Sequence, residues 1–444
     1  MSLEHLHAFS KSITIPAVLR ASALVAALSL FGKLFGLWRE LETARLFGVS
    51  ASVDAFVAAS TLIFFLGRMS SDSFLVSTPG LVIGSRGQGQ QNVPWGNLLR
   101  ALLLISVGLT LIAAMLLPRL VPVIFVGLDE AGQHTTTHLV NLMLPMVAAW
   151  TLIGALGGIL NAHHRYGGYQ VALLVANVGV LAMLWLAARQ IGIAALAWGW
   201  SIGLWLGVGL LVFLLRAQFQ HVWHWNGWRA QWQTIRALME GAGGLLVWFA
   251  LNQMPVWIDR YFAAQLVPGS LSALGYAQRL FQLPLELVTV IVTSVWVTRV
   301  AEMQTSQVSR QTFRLMRKLA LATFPVAGGL ALLAGPIVTL VYARGAFDTQ
   351  AVAVTTGPFA MYALGLGVHT LSAVLVRTFQ AQGLARYPIM AAILDILLTG
   401  TLNAWVISRG WDATGIAGVN TVVAAARTGL LIVCLHINQR RPKL

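Results

Sequence analysis

Charge is scarce in this chain, and acidic charge scarcer still. Asp, Glu, Lys and Arg make up 10% of its 444 residues, where soluble domains carry roughly 25%, so a water-soluble globular domain is excluded. The 14 acids stand against 29 Lys and Arg. They form no D-D-x-x-D-like run, which argues against a membrane enzyme that holds metal on clustered carboxylates. A drug or cation antiporter would want carboxylates as the dominant charge of its cavity, and here cations dominate. Cysteine is nearly absent: Cys434 stands alone, which excludes an intramolecular disulfide and any Cys-rich metal or redox site. His163–His164 lacks the HExxH spacing, and His221 with His224 has no third ligand nearby. No metal, no cofactor and no catalytic residue is expected. The net charge of +15 is not gathered into a run with interleaved polar and aromatic residues, so nucleic acid is not an expected partner.

What the chain has instead is apolar length. Hydrophobic residues make up 57% and the mean hydropathy is +0.76. Apolar windows near the ~20 residues that a bilayer-spanning helix needs fall at 17–38, 53–84, 98–118, 138–161, 169–188 and 191–215. A second set falls at 238–258, 271–298, 317–342, 351–376, 387–408 and 414–436. The fold class is therefore an all-α polytopic membrane protein of about twelve transmembrane helices. The first apolar run continues into a charged stretch without a small-residue cleavage site, so a retained first helix is expected rather than a signal peptide.

The basic residues recur in the gaps between apolar runs, where they set topology and meet lipid headgroups. One side collects Lys11, Arg86, Arg100, Arg165, Arg216, Arg310, Arg314, Arg377 and Arg386; the other has Arg119, Arg189, Arg260, Arg344 and Arg409, with Asp129, Asp259, Asp348 and Asp412 close by. That asymmetry places both termini in the cytoplasm. The longest polar gap, 216–237, alternates Trp223, Trp225, Trp228 and Trp232 with His and Arg, and reads as an amphipathic interfacial linker. It separates an N-lobe (1–215) from a C-lobe (238–444). Laying 44–56 over 264–276 matches Ala, Leu, Ser and Ser, and NAHHRY (161–166) falls near QAQGLARY (380–387) at nearly the same offset. The reading is an internal duplication: two pseudo-symmetric six-helix lobes around a central cationic cavity, with alternating access by rocking.

Six ionisable residues fall within spans: Lys33, Arg68, Arg279, Glu286, Asp395 and Arg427. Each costs roughly 2.5–3.5 kcal/mol at the bilayer centre unless it faces a cavity or a partner. Arg279 and Glu286 share a helix face with Gln282 between them, above a break at Pro284. Lys33 and Glu40 also share a face, and Arg68 with Asp72 reads as a local pair. Asp395 and Arg427 are either a structural ion pair or part of the transport chemistry. Lys33, Arg39, Arg68 and Arg279 outnumber the deep acids, and Arg suits bidentate phosphate binding. The expected substrate is an anion, a phosphate or pyrophosphate.

At this point a resemblance enters. KLFGLWRELETARLFGVSASVDAFVAA is similar to the first two helices of the MurJ/MviN family, lipid II flippases of the MOP superfamily, whose pattern there is approximately R-x-L-G-x-x-R-D, then A-R-x-F-G, then D-A-F. GILNAHHRY, VPGSLSALGYAQRLFQLP and VYARGAFD resemble further stretches of that family in the same order. The resemblance implies that cations of helices 1, 2 and 8 line a central cavity and engage a lipid-linked pyrophosphate. Arg39 and Arg279 match family arginines, Lys33 stands where the family has Arg, and Asp54 matches the acid that opens helix 2. The family's paired arginines become Gly67-Arg68, its Glu becomes Asp72 and its helix 8 Asp becomes Gln278. About twelve spans also stand where the family adds two more.

The expected function is a flippase carrying a polyprenyl-diphosphate-linked saccharide, lipid II-like, from the cytoplasmic to the outer leaflet of a bacterial inner membrane. The alternatives are an exopolysaccharide or O-antigen-type repeat unit, and then a MATE-like multidrug antiporter. Substrate-binding cations are Lys33, Arg39, Arg68 and Arg279; cavity or gating polar residues are Glu40, Asp54, Asp72, Gln278, Gln282 and Glu286. Expected partners are the lipid-linked saccharide, membrane lipids and cell-envelope biosynthesis proteins, around a monomer. Coupling falls to an ion or to the membrane potential.

Overall fold

A backbone inside lipid must satisfy its own hydrogen bonds, and the helix does so within each segment. The structure, a computed structural model, describes residues 15–87, 95–219 and 227–440, and among them only helices and their connecting turns occur. In chain order these are α1 (Ile15–Phe47), α2 (Ala51–Gly87), α3 (Trp95–Ile124), α4 (Glu130–Met143), α5 (Pro145–Ala162), α6 (Gly168–Ile191), α7 (Ala194–Leu214) and α8 (Arg216–Phe219). There follow α9 (Trp228–Ala263), α10 (Ser270–Glu302), α11 (Thr305–Leu332), α12 (Ala334–Tyr342), α13 (Thr349–Leu364), α14 (Leu366–Ala381), α15 (Arg386–Ser408) and α16 (Ala413–Arg440).

Among the described residues nine helices are long and apolar enough to cross a membrane, or ten if α13 and α14, bent by 45° at Gly365, form one span. The sequence reading expects about twelve. Outside that count lie α1 and α10, each 33 residues long, which carry Lys33 and Arg39, and Arg279 and Glu286.

Packing divides the chain into two compact units, the first drawn from Met1–Glu42, Leu62–Arg119 and Thr137–Val247, the second from Thr43–Thr61, Leu120–Thr136 and Trp248–Leu444. They cut across the lobes read from the sequence, because α1, α2 and α9 each run on past a unit boundary. The polar gap likewise is no separate element at its end: Trp228 opens α9, a single helix that continues to Ala263, with Trp228 and Trp232 exposed. Trp223 and Trp225 lie outside the described residues.

In unit 1, α6 and α7 pair through small residues, Gly203 lying against the backbone of Ala176 and Gly199 against Val180, which lets two helices approach closely without a polar contact. α5 is buried along nearly its whole length.

Unit 2 is organised around a corner, residues 48–54, between α1 and α2. The first turn of α10 begins at Gly269, with φ +94 and no side chain to cap the helix. Asp54 supplies the cap from 215 positions away: Gly269 N donates to its Oδ2 and Ser272 N to its Oδ1, both at 2.6 Å. One turn along α10, the Tyr276 hydroxyl donates to the Gly48 carbonyl (3.1 Å), and Tyr342 donates to the carbonyl of Tyr276 (3.3 Å). Tyr276, Tyr342 and Phe347 form a ring trio with centroids 5.2–5.4 Å apart. Ala346 N then donates to the Arg45 carbonyl (2.8 Å). Gly48 and Gly345 hold φ of +59 and +62, and a Cβ on either would strike the backbone of the opposing segment.

Removing the Asp54 carboxylate strands two buried N–H groups. Asp54→Ala is expected to cost about 3 kcal/mol, and Asp54→Asn, whose single oxygen replaces one acceptor, about half of that. Denaturant unfolding of the purified protein in detergent checks this; equal midpoints for all three proteins would show that the cap contributes nothing.

Candidate functional site

Lys33, Arg39, Glu40, Arg68 and Asp72 lie in unit 1. Arg39 is 7% exposed. Its Nη1 donates to Asn177 Oδ1 of α6 at 2.8 Å, and its Nη2 lies 3.4 Å from Glu40 Oε2. Its guanidinium carbon stands 4.6 Å from the centroid of Trp200 of α7. Glu40, read from the sequence as a partner for Lys33, is thus taken up by its neighbour. Lys33 is exposed on α1.

Arg68 and Asp72, expected as a local pair, act on each other electrostatically, and each has a further partner. The Arg68 guanidinium lies 5.5 Å from the Trp150 ring of α5, and Asp72 Oδ1 accepts from the Tyr169 hydroxyl of α6 at 3.3 Å. An aromatic face attracts the planar cation and the phenol donates to the acid, while the Arg68 charge still acts on Asp72. Gly67 also finds its reason here: a Cβ would come 2.6 Å from Trp150 Cδ1, so no side chain fits where the resembling family carries a second arginine.

The unit 2 residues differ in kind. Arg279 is exposed on α10, with Gln278, Gln282 and Glu286 half-buried beside it. Asp54 was expected among the cavity or gating polar residues. It is 3% exposed and commits both oxygens to the cap of α10, so its surroundings are those of a structural residue. Asp395 and Arg427 meet at 2.6 Å, and Arg427 Nε donates to Ser372 Oγ at 2.7 Å.

That pair continues into a network the sequence reading missed. Arg427 Nη2 faces His369 Nδ1 at 3.4 Å, and His369 Nε2 faces Asn420 Oδ1 at 3.0 Å. Guanidinium has only donors, so Nδ1 is the acceptor and the imidazole proton sits on Nε2, pointing to the amide oxygen. Asp259 Oδ1 accepts from Asn403 Nδ2 at 2.7 Å, and its Oδ2 from Asn420 Nδ2 at 3.5 Å. Asp259 and Arg260 were read as charges of a gap between spans. Asp259 is instead 3% exposed within α9, and Arg260 donates to Thr61 Oγ1 and the Val57 carbonyl. Their place at the end of an apolar window made them look like loop charges. The polar residues Asn403 and Asn420 in apolar helices were the available signal.

A family model described as "Lipid II flippase MurJ" matches residues 43–442. A protein named "Probable lipid II flippase MurJ" from Bdellovibrio bacteriovorus is 27% identical over 436 residues, 94% of this chain and 82% of its own length. One of the same name from Thermotoga maritima is 25% identical over 87% of this chain and 81% of its own length. Among solved structures, "Lipid II flippase MurJ, inward closed conformation" superposes with a TM-score of 0.81 at 19% identity, covering 94% of this chain and 89% of that one. An inward-facing MATE family multidrug resistance transporter of the MOP superfamily gives 0.74 at 11% identity, covering 94% and 98%. At these identities the structural likeness speaks to the fold alone.

The Asp395–Arg427 pair yields a sharp expectation. Asp395→Leu alone leaves Arg427 partly buried and without its acid, at a cost of about 3 kcal/mol, and Arg427→Met alone costs a similar amount. The double variant is expected to be more stable than either single, as read by thermal unfolding in detergent. Additive losses in the double variant would mean that the two side chains act independently.

Proposed function

This chain belongs to the lipid II flippase MurJ family, and on that premise we propose that it moves a polyprenyl-diphosphate-linked saccharide such as lipid II across a bacterial inner membrane by alternating access. The observation that carries the reading is the state of its span-borne cations. Arg68 of α2 and Arg39 of α1 rest against indole rings, while Lys33 of α1 and Arg279 of α10 are exposed. Guanidinium groups kept charged in apolar helices suit a diphosphate, which accepts their paired N–H groups in parallel. In this proposal Lys33, Arg39, Arg68 and Arg279 neutralise the diphosphate, and Gln278, Gln282 and Glu286 flank it.

The direction is cytoplasmic to outer leaflet, with both termini cytoplasmic and the protein acting as a monomer beside cell-envelope biosynthesis enzymes. A multiply charged headgroup couples to the membrane potential at about 2.3 kcal/mol per charge per 100 mV, which supplies a driving force without a bound cofactor. A second reading keeps the carrier and changes the sugar, to an exopolysaccharide or O-antigen-type repeat unit. It draws on Lys33 and Gly67, where the resembling family has arginines. The MATE-like fold would also suit a multidrug antiporter, but the exposed candidate ions Lys33, Arg68 and Arg279 are cations.

Arg39→Ala, Arg68→Ala and Arg279→Ala are each expected to slow outer-leaflet appearance of the substrate about tenfold or more, the equivalent of one lost charge-assisted hydrogen bond. Labelled lipid II and a labelled exopolysaccharide precursor in proteoliposomes provide the measurement. Undiminished flipping of both lipids by all three variants would sink the cation reading, and the lipid whose flux falls identifies the saccharide.

A further inference from the structure

An arginine in an apolar span needs an electrostatic partner, and the usual one is a carboxylate. A carboxylate, however, cancels the charge that a diphosphate would have to meet. Unit 1 keeps acids near its arginines, Glu40 beside Arg39 and Asp72 one turn from Arg68, and adds aromatic faces that hold the cations in place. Arg39 lies over Trp200 at 4.6 Å and Arg68 over Trp150 at 5.5 Å. The two indoles are neighbours, with centroids 6.4 Å apart and planes at 37°. Phe64, one turn before Arg68 on α2, turns its edge to both, at 5.0 Å from Trp200 and 6.4 Å from Trp150.

The rings come from α5 and α7, the cations from α1 and α2, and so four helices converge on one aromatic platform. Trp150 and Trp200 are 1% and 6% exposed and Arg39 is 7% exposed, so the Arg39–Trp200 contact is shielded from water that would weaken a cation–ring attraction. Arg68 has no acid within ion-pair distance among the described residues. The buried Trp150 indole N–H has no hydrogen-bond partner there either, although buried indoles ordinarily find one. The ring is therefore held for its face and shape, and the absence of a side chain at Gly67 leaves room for it.

We propose that Trp150 and Trp200 are positioning residues for diphosphate recognition: they fix the Arg68 and Arg39 guanidinium groups on one aromatic pair and so set where both charges sit. The inference rests on the reading that these arginines engage the diphosphate. It assigns the platform a role in substrate affinity beyond packing, and the rings themselves touch no substrate. Asn177 fixes the in-plane orientation of Arg39 by accepting its Nη1–H.

The test compares Trp150→Leu and Trp200→Leu with Trp150→Phe and Trp200→Phe in proteoliposomes, using lipid II and a sugar-free polyprenyl diphosphate as probes. The Leu variants are expected to raise the apparent KM about five- to tenfold, with turnover within about twofold, and the Phe variants to recover most of that loss. Should a Leu variant fail to fold, site-specific fluorinated tryptophan at the same position keeps the ring's shape and weakens its face, and KM should rise with the degree of fluorination. If KM is unchanged in every ring variant while Arg39→Ala and Arg68→Ala raise it, the platform is packing and the proposal falls alone. If the arginine variants also leave KM unchanged, the diphosphate reading falls with it.

Discussion

Both oxygens of Asp54 accept backbone N–H groups at the start of α10, each at 2.6 Å, and most of unit 2 is arranged around that contact. A helix presents four unpaired N–H groups at its first turn, and Gly269 has nothing local to offer them. A carboxylate brought from the α1–α2 corner meets the positive end of the α10 dipole and fixes the corner against it. The Tyr276 and Tyr342 hydroxyls, the ring trio with Phe347 and the Ala346–Arg45 bond extend the same junction outward. Residues 43–61 therefore pack with the second unit although the sequence places them early in the chain.

That junction also shows which part of the sequence was legible. ARLFG, DAF, GSLSALGY and ARGAF are the stretches that carry most of the family resemblance, and they meet here, around the cap, the Tyr276 hydroxyl and the two glycines of positive φ. Each position tolerates few residues because backbone meets backbone, and such constraints leave marks a reader can see. The segments 44–56 and 264–276, laid over one another as a repeat, are the two that touch. Asp54 is legible in the sequence as a candidate polar residue, and its double cap is not, since the partner helix lies 215 positions away. The aromatic platform and the Asp259 network left weaker marks. Helices that are apolar all round carry no moment to reveal their inward face, so Asn177, Trp200 and Asn403 read as incidental residues of a span.

Three ways of holding an ion inside apolar helices appear in this one chain. Asp54 and Asp259 are met by neutral N–H donors, from the backbone and from Asn403 and Asn420 respectively. Asp395 is met by the opposite charge of Arg427. Arg68 is met by a ring face, as is Arg39, which has Asn177 and Glu40 besides. The ion pair cancels its own field, so nothing outside it feels much charge. The ring solution stabilises the cation through a quadrupole whose field falls off quickly. The ring holds Arg68 in place without cancelling its charge, which Asp72, one turn along α2, offsets in part.

Sorting the candidate ions by exposure completes the argument. Asp54, Asp259 and Asp395 are 3%, 3% and 6% exposed, and Glu40, Asp72 and Glu286 are half-buried. Lys33, Arg68 and Arg279 are all exposed. Arg39 is buried at 7% and Glu302 is exposed at the end of α10, so the bias toward exposed cations rests on Lys33, Arg68 and Arg279. On the function proposed above, exposed cations of that kind favour a multiply charged anion whose partner groups are guanidinium forks. The folding of these helices decides which candidate ions stay exposed by choosing which ones to bury, and that choice is not written in the composition.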